Sequence, residues 1–249
     1  DDSNCCDPVP EGPTGDPTCA DNIDNDCDGL VDGADFDCGF VPTQLGGLKL
    51  WLDASNLANL RISGGMDDVN DWYDLSGNSN HASQSGRERP RLAVVNGKNR
   101  VRMDGSRWLA VSNESQFDFR AGVTAIVVFS VDRFDSEFQA LIAKGDQTWR
   151  VHRFGNSNGI AFGYNNFFGP NDIGGGDPTG GGLHQVMARW DDGESDLWLD
   201  TVRVADRNHL DGALTTNDDP VRIGDNSDHA GRGWKGDVSE VLIYDRPLS

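Results

Sequence analysis

The chain has 249 residues, room for one large β domain and a small appendage, and its 41 acidic against 21 basic residues give a formal net charge of −20. That excess of carboxylates argues against binding the phosphates of DNA or RNA, and no polybasic stretch is present to engage anionic lipid. No apolar run is long enough to insert into a membrane, so the composition suits a soluble extracellular protein or one that collects divalent cations.

The opening "DDSNCCDP" lacks the apolar stretch of a signal peptide, and a mature or trimmed product is expected. All five cysteines, Cys5, Cys6, Cys19, Cys27 and Cys38, fall in the first 38 residues. That clustering marks a boundary, with a Cys/Asp-rich segment over 1–40 and a separate domain over 45–249. So short a segment has little core and needs cross-links or metal to hold a shape. With no C-x2-C pair and no nearby histidine, the spacing does not suit zinc, and disulfides in a secreted protein are expected. Five is odd, so one thiol is free, pairs with another chain, or belongs with a trimmed neighbour.

Within "DNIDNDCDGLVDGADFDC" (21–38), Asp24, Asp26 and Asp28 take positions 1, 3 and 5 of a twelve-residue calcium loop. Gly29 takes position 6, Leu30 offers its carbonyl at 7, and Asp32 and Asp35 take 9 and 12. A hard cation needs six to eight oxygens, and alternate residues of a tightly curved loop point inward to supply them. Asp35 stands where glutamate is usual and reaches less far. The competing reading is an acidic linker of loop-forming residues. No amphipathic helix flanks the loop, so a helix-loop-helix sensor is not expected.

The stretch "CADNIDNDCDGLVDGADFDC" resembles the Asp-rich metal-binding motif repeated in bacterial secreted proteins, and is similar to the calcium repeats of thrombospondin. The resemblance covers about 17–38. It implies a rigid Ca2+-dependent spacer and a Cys19–Cys27 bridge, with the partner of Cys38 left open because the family's further cysteine, near Gly33, is absent.

From residue 45 the texture becomes that of strands. "GLKLWLDAS" (47–55) alternates Leu48, Leu50 and Leu52 on one face, and "VTAIVVFSVDRF" (123–134) is a β-branched buried run. Further strands are expected at 100–105, 108–112, 139–145, 148–154, 159–165, 219–225 and 239–247, with 184–192 and 195–204 forming a hairpin. No segment shows a helical period. The fold class is therefore all-β, an antiparallel jelly-roll sandwich.

Three stretches bear on chemistry. "DLSGNSNHA" puts Asp74, Ser76, Asn78 and Asn80 on alternate positions, either as oxygens for a second metal or, more plainly, as caps for a turn. "FGYNNFFGPNDIGGGDPTGGGLH" (162–184) is a long glycine-rich loop whose Tyr164, Phe167 and Phe168 either contact a ligand or fold onto the sandwich. "GESDLWLD" sets Glu194 and Asp196 at a hydrolase-like spacing, but Leu199 stands where a third carboxylate would be and the segment lies at a hairpin. No G-x-S-x-G elbow occurs, so no catalysis is expected. Trp51, Trp190 and Trp198 sit in strand patterns and are assigned to the core; Trp72 and Trp234 fit either core or site.

In order, "LKLWLDAS", "WYDLSGNSNHASQ", "VRMDGSRWL", "GLHQVMARWDDGESDLWLD", "VRIGDN" and "WKGDVSEVLIYDRPLS" resemble a laminin G-like, concanavalin A-like jelly roll over 45–249. The resemblance implies two antiparallel sheets and often one structural calcium, to which Asp104 and Asp237 would contribute. Two functions remain. One is a secreted, calcium-binding, non-catalytic module for a polysaccharide or other glycan, or for adhesion. The other is a structural subunit or spacer of an extracellular fibre, joining neighbouring surface-protein subunits.

Overall fold

The computed structural model describes residues 17–24, 31, 39, 41–63, 67–165, 171–208 and 213–248. The chain divides into two compact units, Asp1–Gly46 and Gly47–Ser249. In the first, short 3-10 turns form at Pro17–Ala20 and Pro42–Gln44, and Asp21 caps a turn by accepting from the Ile23 amide at 2.9 Å. Cys19 is disulfide-bonded. The calcium-loop residues Asp26, Asp28, Leu30, Asp32 and Asp35, and the cysteines Cys5, Cys6, Cys27 and Cys38, lie outside the described residues; Asp24 is within them and half-buried.

The second unit is all strand: β1 (Leu48–Asp53), β2 (Leu60–Ser63), β3 (Asp68–Trp72), β4 (Ala82–Ser83), β5 (Arg91–Val95), β6 (Lys98–Asp104), β7 (Leu109–Val111), β8 (Gly122–Phe129), β9 (Ala140–Ala143), β10 (Trp149–Arg153), β11 (Ile160–Tyr164), β12 (Asp172–Gly175), β13 (His184–Asp191), β14 (Glu194–Leu199), β15 (Val202–Asn208), β16 (Val221–Ile223) and β17 (Lys235–Tyr244). One layer runs from β1 and β6, which share an edge of β17, through β8, β13 and β14 to β15. The other runs β2, β3, β4, β7, β16, β9, β10, β11, β12. β5 pairs with β6 and touches β3 at Arg91 and Asp68, which joins the layers into a near-barrel. These strand pairings are all antiparallel.

Alternation explains the layers. Leu50, Leu52, Val127, Phe129 and Trp190 face inward from the first layer; Trp149, Val151, Phe162 and Val221 face them from the second, and all are buried. Burying each such side chain is worth about 1.5–3 kcal/mol.

Two expectations need correction. Residues 195–204 are not one strand: Asp200 and Thr201, at φ of 50° and 70°, turn the chain between β14 and β15. The stretch 162–184 is not all loop, because 172–175 form β12 on β11. Its glycines have a packing reason. A Cβ on Gly174 would stand 2.7 Å from the Phe154 ring, and one on Gly175 2.9 Å from the Val204 carbonyl oxygen.

Candidate functional site

The second layer has an outward face with a continuous row of Cα partners: Arg61, Asp71, Ser83, Ala110, Arg222, Ala143, Arg150, Gly163 and Asp172. Because side chains alternate, all nine point away from the core. The row is open at the β2 end and covered at the β12 end, where every residue of β9, β10 and β11 is buried on both faces.

The open half is a cleft of about 400 Å3 lined by Arg61, Asp71, Ser83, Gln84, Trp108 and Ser112, among others. The Arg222 guanidinium lies over the Trp108 ring at 4.1 Å and is itself held by Asp225 at 2.9 Å, which fixes the indole in place. Arg61 pairs with Asp71. The hydrogen bond from Arg61 is the largest influence on Asp71 and holds its carboxyl below the usual range. Gln84 Oε1 accepts from the Gly86 amide at 2.9 Å, while its Nε2 has no hydrogen-bond partner among the described residues.

The covered half is built on Asp146. Its carboxylate meets Arg150 at 2.9 Å, Arg232 at 3.1 Å and His229 at 2.7 Å. Burial is the largest single influence and opposes its ionisation, but Arg150, Arg232 and the hydrogen bond from Asn226, among others, together outweigh it and the carboxyl lies below its ordinary range. Arg150 also reaches Asp172 at 3.3 Å. His152 is fully buried, and burial pushes its imidazole down, to the neutral form at neutral pH. Nδ1 donates to the Arg153 carbonyl at 2.7 Å, so Nε2 is left an acceptor; it stands 3.6 Å from Asp172, too far to hydrogen-bond. A Cβ on Gly163 would meet Asp172 Oδ1 at 2.5 Å, His152 Nε2 at 2.9 Å and Arg150 Nε at 3.1 Å. A side chain would find no room there, so the glycine is required by the close approach of three polar atoms, of which His152 Nε2 and Arg150 Nε lack hydrogen-bond partners among the described residues. Arg232 caps the cluster from above, 5.0 Å over the Phe138 ring.

The residues expected from sequence fall elsewhere. Tyr164 is buried in the core against Trp190, ring centres 4.5 Å apart, rather than offered to a ligand; Phe167 and Phe168 lie outside the described residues. Asp74 accepts from the amides of Trp51 at 3.0 Å, Ser76 at 2.9 Å and Asn80 at 2.8 Å. Asn78 donates to the Leu48 carbonyl and Asn80 to that of Lys49, both at 2.9 Å. These side chains pin a turn to β1. Asp104 is taken up by Ser106 and Arg107, and buried Asp237 pairs with Arg102 at 2.6 Å. Among the described residues no three His, Cys, Asp or Glu are placed to hold a metal ion, so Asp74, Asp104 and Asp237 do not form one site. Asp196 is locked between Arg189 and Arg203, and Glu194 is exposed in the hairpin. Trp72 and Trp234 join Trp190 in the core. Trp51 and Trp198 are half-buried on the outer face of the first layer, Trp51 donating to Glu240 and Trp198 flanked by Arg189 and Arg203.

The signals for the missed residues were present as alternation. In "RWLAVS", Trp108, Ala110 and Ser112 oppose Leu109 and Val111; in "WRVHR", Arg150 and His152 oppose Trp149 and Val151.

The fold and this polar outward face define a lectin-like antiparallel jelly roll. Residues 103–249, more than half of the chain, match the family described as the concanavalin A-like lectin/glucanases superfamily, and the chain belongs to it. The binding domain of Paraclostridial Mosquitocidal Protein 1 superposes with a TM-score of 0.62 at 13% identity, over 82% of this chain and 50% of that one. This chain therefore spans about half the length of that protein domain. Domain 4 of AbnA, a GH43 extracellular arabinanase from Geobacillus stearothermophilus, in complex with arabinotriose, gives 0.57 at 13% identity, over 81% of this chain and 94% of that one. Trypanosoma rangeli sialidase in complex with sialic acid gives 0.56 at 15%, over 82% and 32%. At such identities the likeness is one of fold. No curated protein sequence matches the chain. No helix among the described residues is long and apolar enough to cross a membrane.

Proposed function

We propose that the chain is a secreted, non-catalytic carbohydrate-binding module whose glycan lies on the outward face of the second layer. The observation that carries this reading is the cleft at Trp108: one fixed indole beside uncharged hydrogen-bonding groups, Ser83, Gln84 and Ser112. A sugar ring has an apolar face for the aromatic and hydroxyls for the rest. Asp71 and Asp146, the carboxyls central to the two halves, are both held low by arginines, which suits binding better than general acid catalysis. The arabinotriose bound to the AbnA domain supports the same class of ligand. The test is a glycan array followed by calorimetry: Trp108→Ala should weaken the glycan bound best by about tenfold, 1.4 kcal/mol, with an unchanged melting temperature. Undiminished binding by that variant would remove the cleft from the site.

The first unit is read as a Ca2+-dependent spacer. The spacing of Asp24, Asp26, Asp28, Asp32 and Asp35 supports it, and the disulfide at Cys19 supports an oxidising, extracellular setting. Saturating calcium at about a hundredfold over Kd should stabilise this unit by roughly 2.7 kcal/mol. EDTA should reverse the gain, and Asp24→Ala with Asp28→Ala should abolish it in calorimetric titration. Calcium binding that survives both substitutions would place the ion elsewhere.

A further inference from the structure

We infer that the outward face of the first layer is a self-association surface, on which two copies of this chain pack face to face about a two-fold axis. This surface lies on the other layer from the Trp108 cleft and does not depend on the glycan reading.

The strand register carries the inference. Trp51 pairs with Leu242, Leu242 with Ile126, Ile126 with Met187 and Met187 with Trp198, and the row ends at Arg203. The chain neighbours of these apolar residues, such as Leu50 and Leu52 around Trp51, are buried in the core, so the row itself faces outward. The outward side of an antiparallel sheet is ordinarily polar. Here five successive strands each place an apolar side chain on it, and Val128 lies beside Ile126 on the same face. No α-helix occurs among the described residues to cover them. Trp51, Ile126, Met187 and Trp198 are half-buried, and Leu242 between them is 8% exposed. A contiguous apolar patch of this kind marks a contact site.

The order of the row identifies the partner as a second copy. From either end it runs tryptophan, then Leu242 or Met187, then Ile126 at the centre. An isologous interface requires such a self-complementary patch. With the axis along β8 at Ile126, Trp51 of one copy meets Trp198 of the other, Leu242 meets Met187, and Ile126 meets itself. The charges agree with that arrangement. Beside Trp51 lie Asp53 and Glu240, Cα partners whose carboxylates meet no cation among the described residues; Glu240 accepts from Trp51 Nε1 at 3.0 Å. Beside Trp198 lie Arg189 and Arg203, 5.8 and 5.9 Å from its ring, and the two share Asp196. The reversed stripes set the half-exposed Arg203 of each copy beside the two carboxylates of the other. Six strands at the usual spacing give a face of roughly 600 Å2 in projection, the scale of a modest interface once side-chain relief is added. The segment 246–248 bounds the stripe on one side: Thr124 donates to the Arg246 carbonyl and accepts from the Leu248 amide, both at 2.9 Å.

The experiment is sedimentation equilibrium of the full chain, with and without reducing agent. At physiological salt a reversible monomer–dimer equilibrium with a Kd of roughly 1–100 μM is expected, unchanged by the reducing agent. Copies of net charge −20 repel each other at long range, so the dimer should tighten as salt rises from low to physiological strength. Met187→Glu should weaken it at least about tenfold. Arg203→Glu, at an exposed position, should do the same and decides the matter if Met187→Glu fails to fold. A chain that stays monomeric at about 1 mM overturns the inference. A dimer lost on reduction belongs to the odd cysteine, and one indifferent to both substitutions lies on another surface; either result overturns it too. Loss of polysaccharide binding by Arg203→Glu in a monomeric chain would give the face to a glycan instead of a second copy.

Discussion

Replacing Lys144 by methionine is expected to lower the unfolding free energy by about 3 kcal/mol, read as a fall in the urea midpoint at constant m. The side chain is 0% exposed. Its ammonium donates to Glu114 at 3.0 Å and to the carbonyls of Asn217 and Asp219 at 3.0 and 3.1 Å, and pairs with Asp118 at 3.1 Å. One cation thus ties three segments together: the end of β9, the turn at 114–118 and the approach to β16. Methionine fills much of the same volume, so the expected loss is of the charge and its hydrogen bonds rather than of packing. Glu114 and Asp118 are about a quarter exposed, and water reaching them keeps the loss toward the lower end of what breaking a buried pair costs. A change below about 1 kcal/mol would mean that the site behaves as a surface ion pair.

The same residue shows where sequence reading stops. "QALIAKG" announces a strand through its apolar run, and β9 follows. Nothing local says that the lysine at its end is buried, because its partners Asp118, Glu114 and Asn217 are far from it in sequence. The strands with strong alternation or β-branched runs, β1, β8, β10, β13 and β17, were legible for the opposite reason: their inward faces are written in neighbouring residues. Asp200–Thr201 was not legible. A threonine at positive φ carries no turn signature; the bend is imposed by β13, whose Gln185 amide donates to the Asp200 side chain at 2.9 Å and whose His184 meets it at 2.6 Å. β2, β3, β4, β5 and β12 are short or carry polar and glycine residues, and exist because neighbouring strands complete their hydrogen bonds. The candidate site follows the same division. That Trp108 and Arg150 face away from the core is readable from period two. That they share one row across nine strands depends on register, which only the folded ladder supplies.

Trp190→Ala should be the costlier core change, about 3–5 kcal/mol in chemical denaturation, and Trp190→Phe should recover most of it. Trp190 comes from β13 in the first layer and meets Tyr164 from β11 in the second, so the pair spans the sandwich. Tyr164 is fixed further by Ser195, whose hydroxyl donates to it at 3.2 Å. The Trp108 cleft, built on β3, β4 and β7, draws on neither ring, so where the variant remains folded its glycan affinity should match that of the unaltered chain. A folded Trp190→Ala that binds the glycan about tenfold more weakly would show that the cleft depends on the packing between β11 and β13.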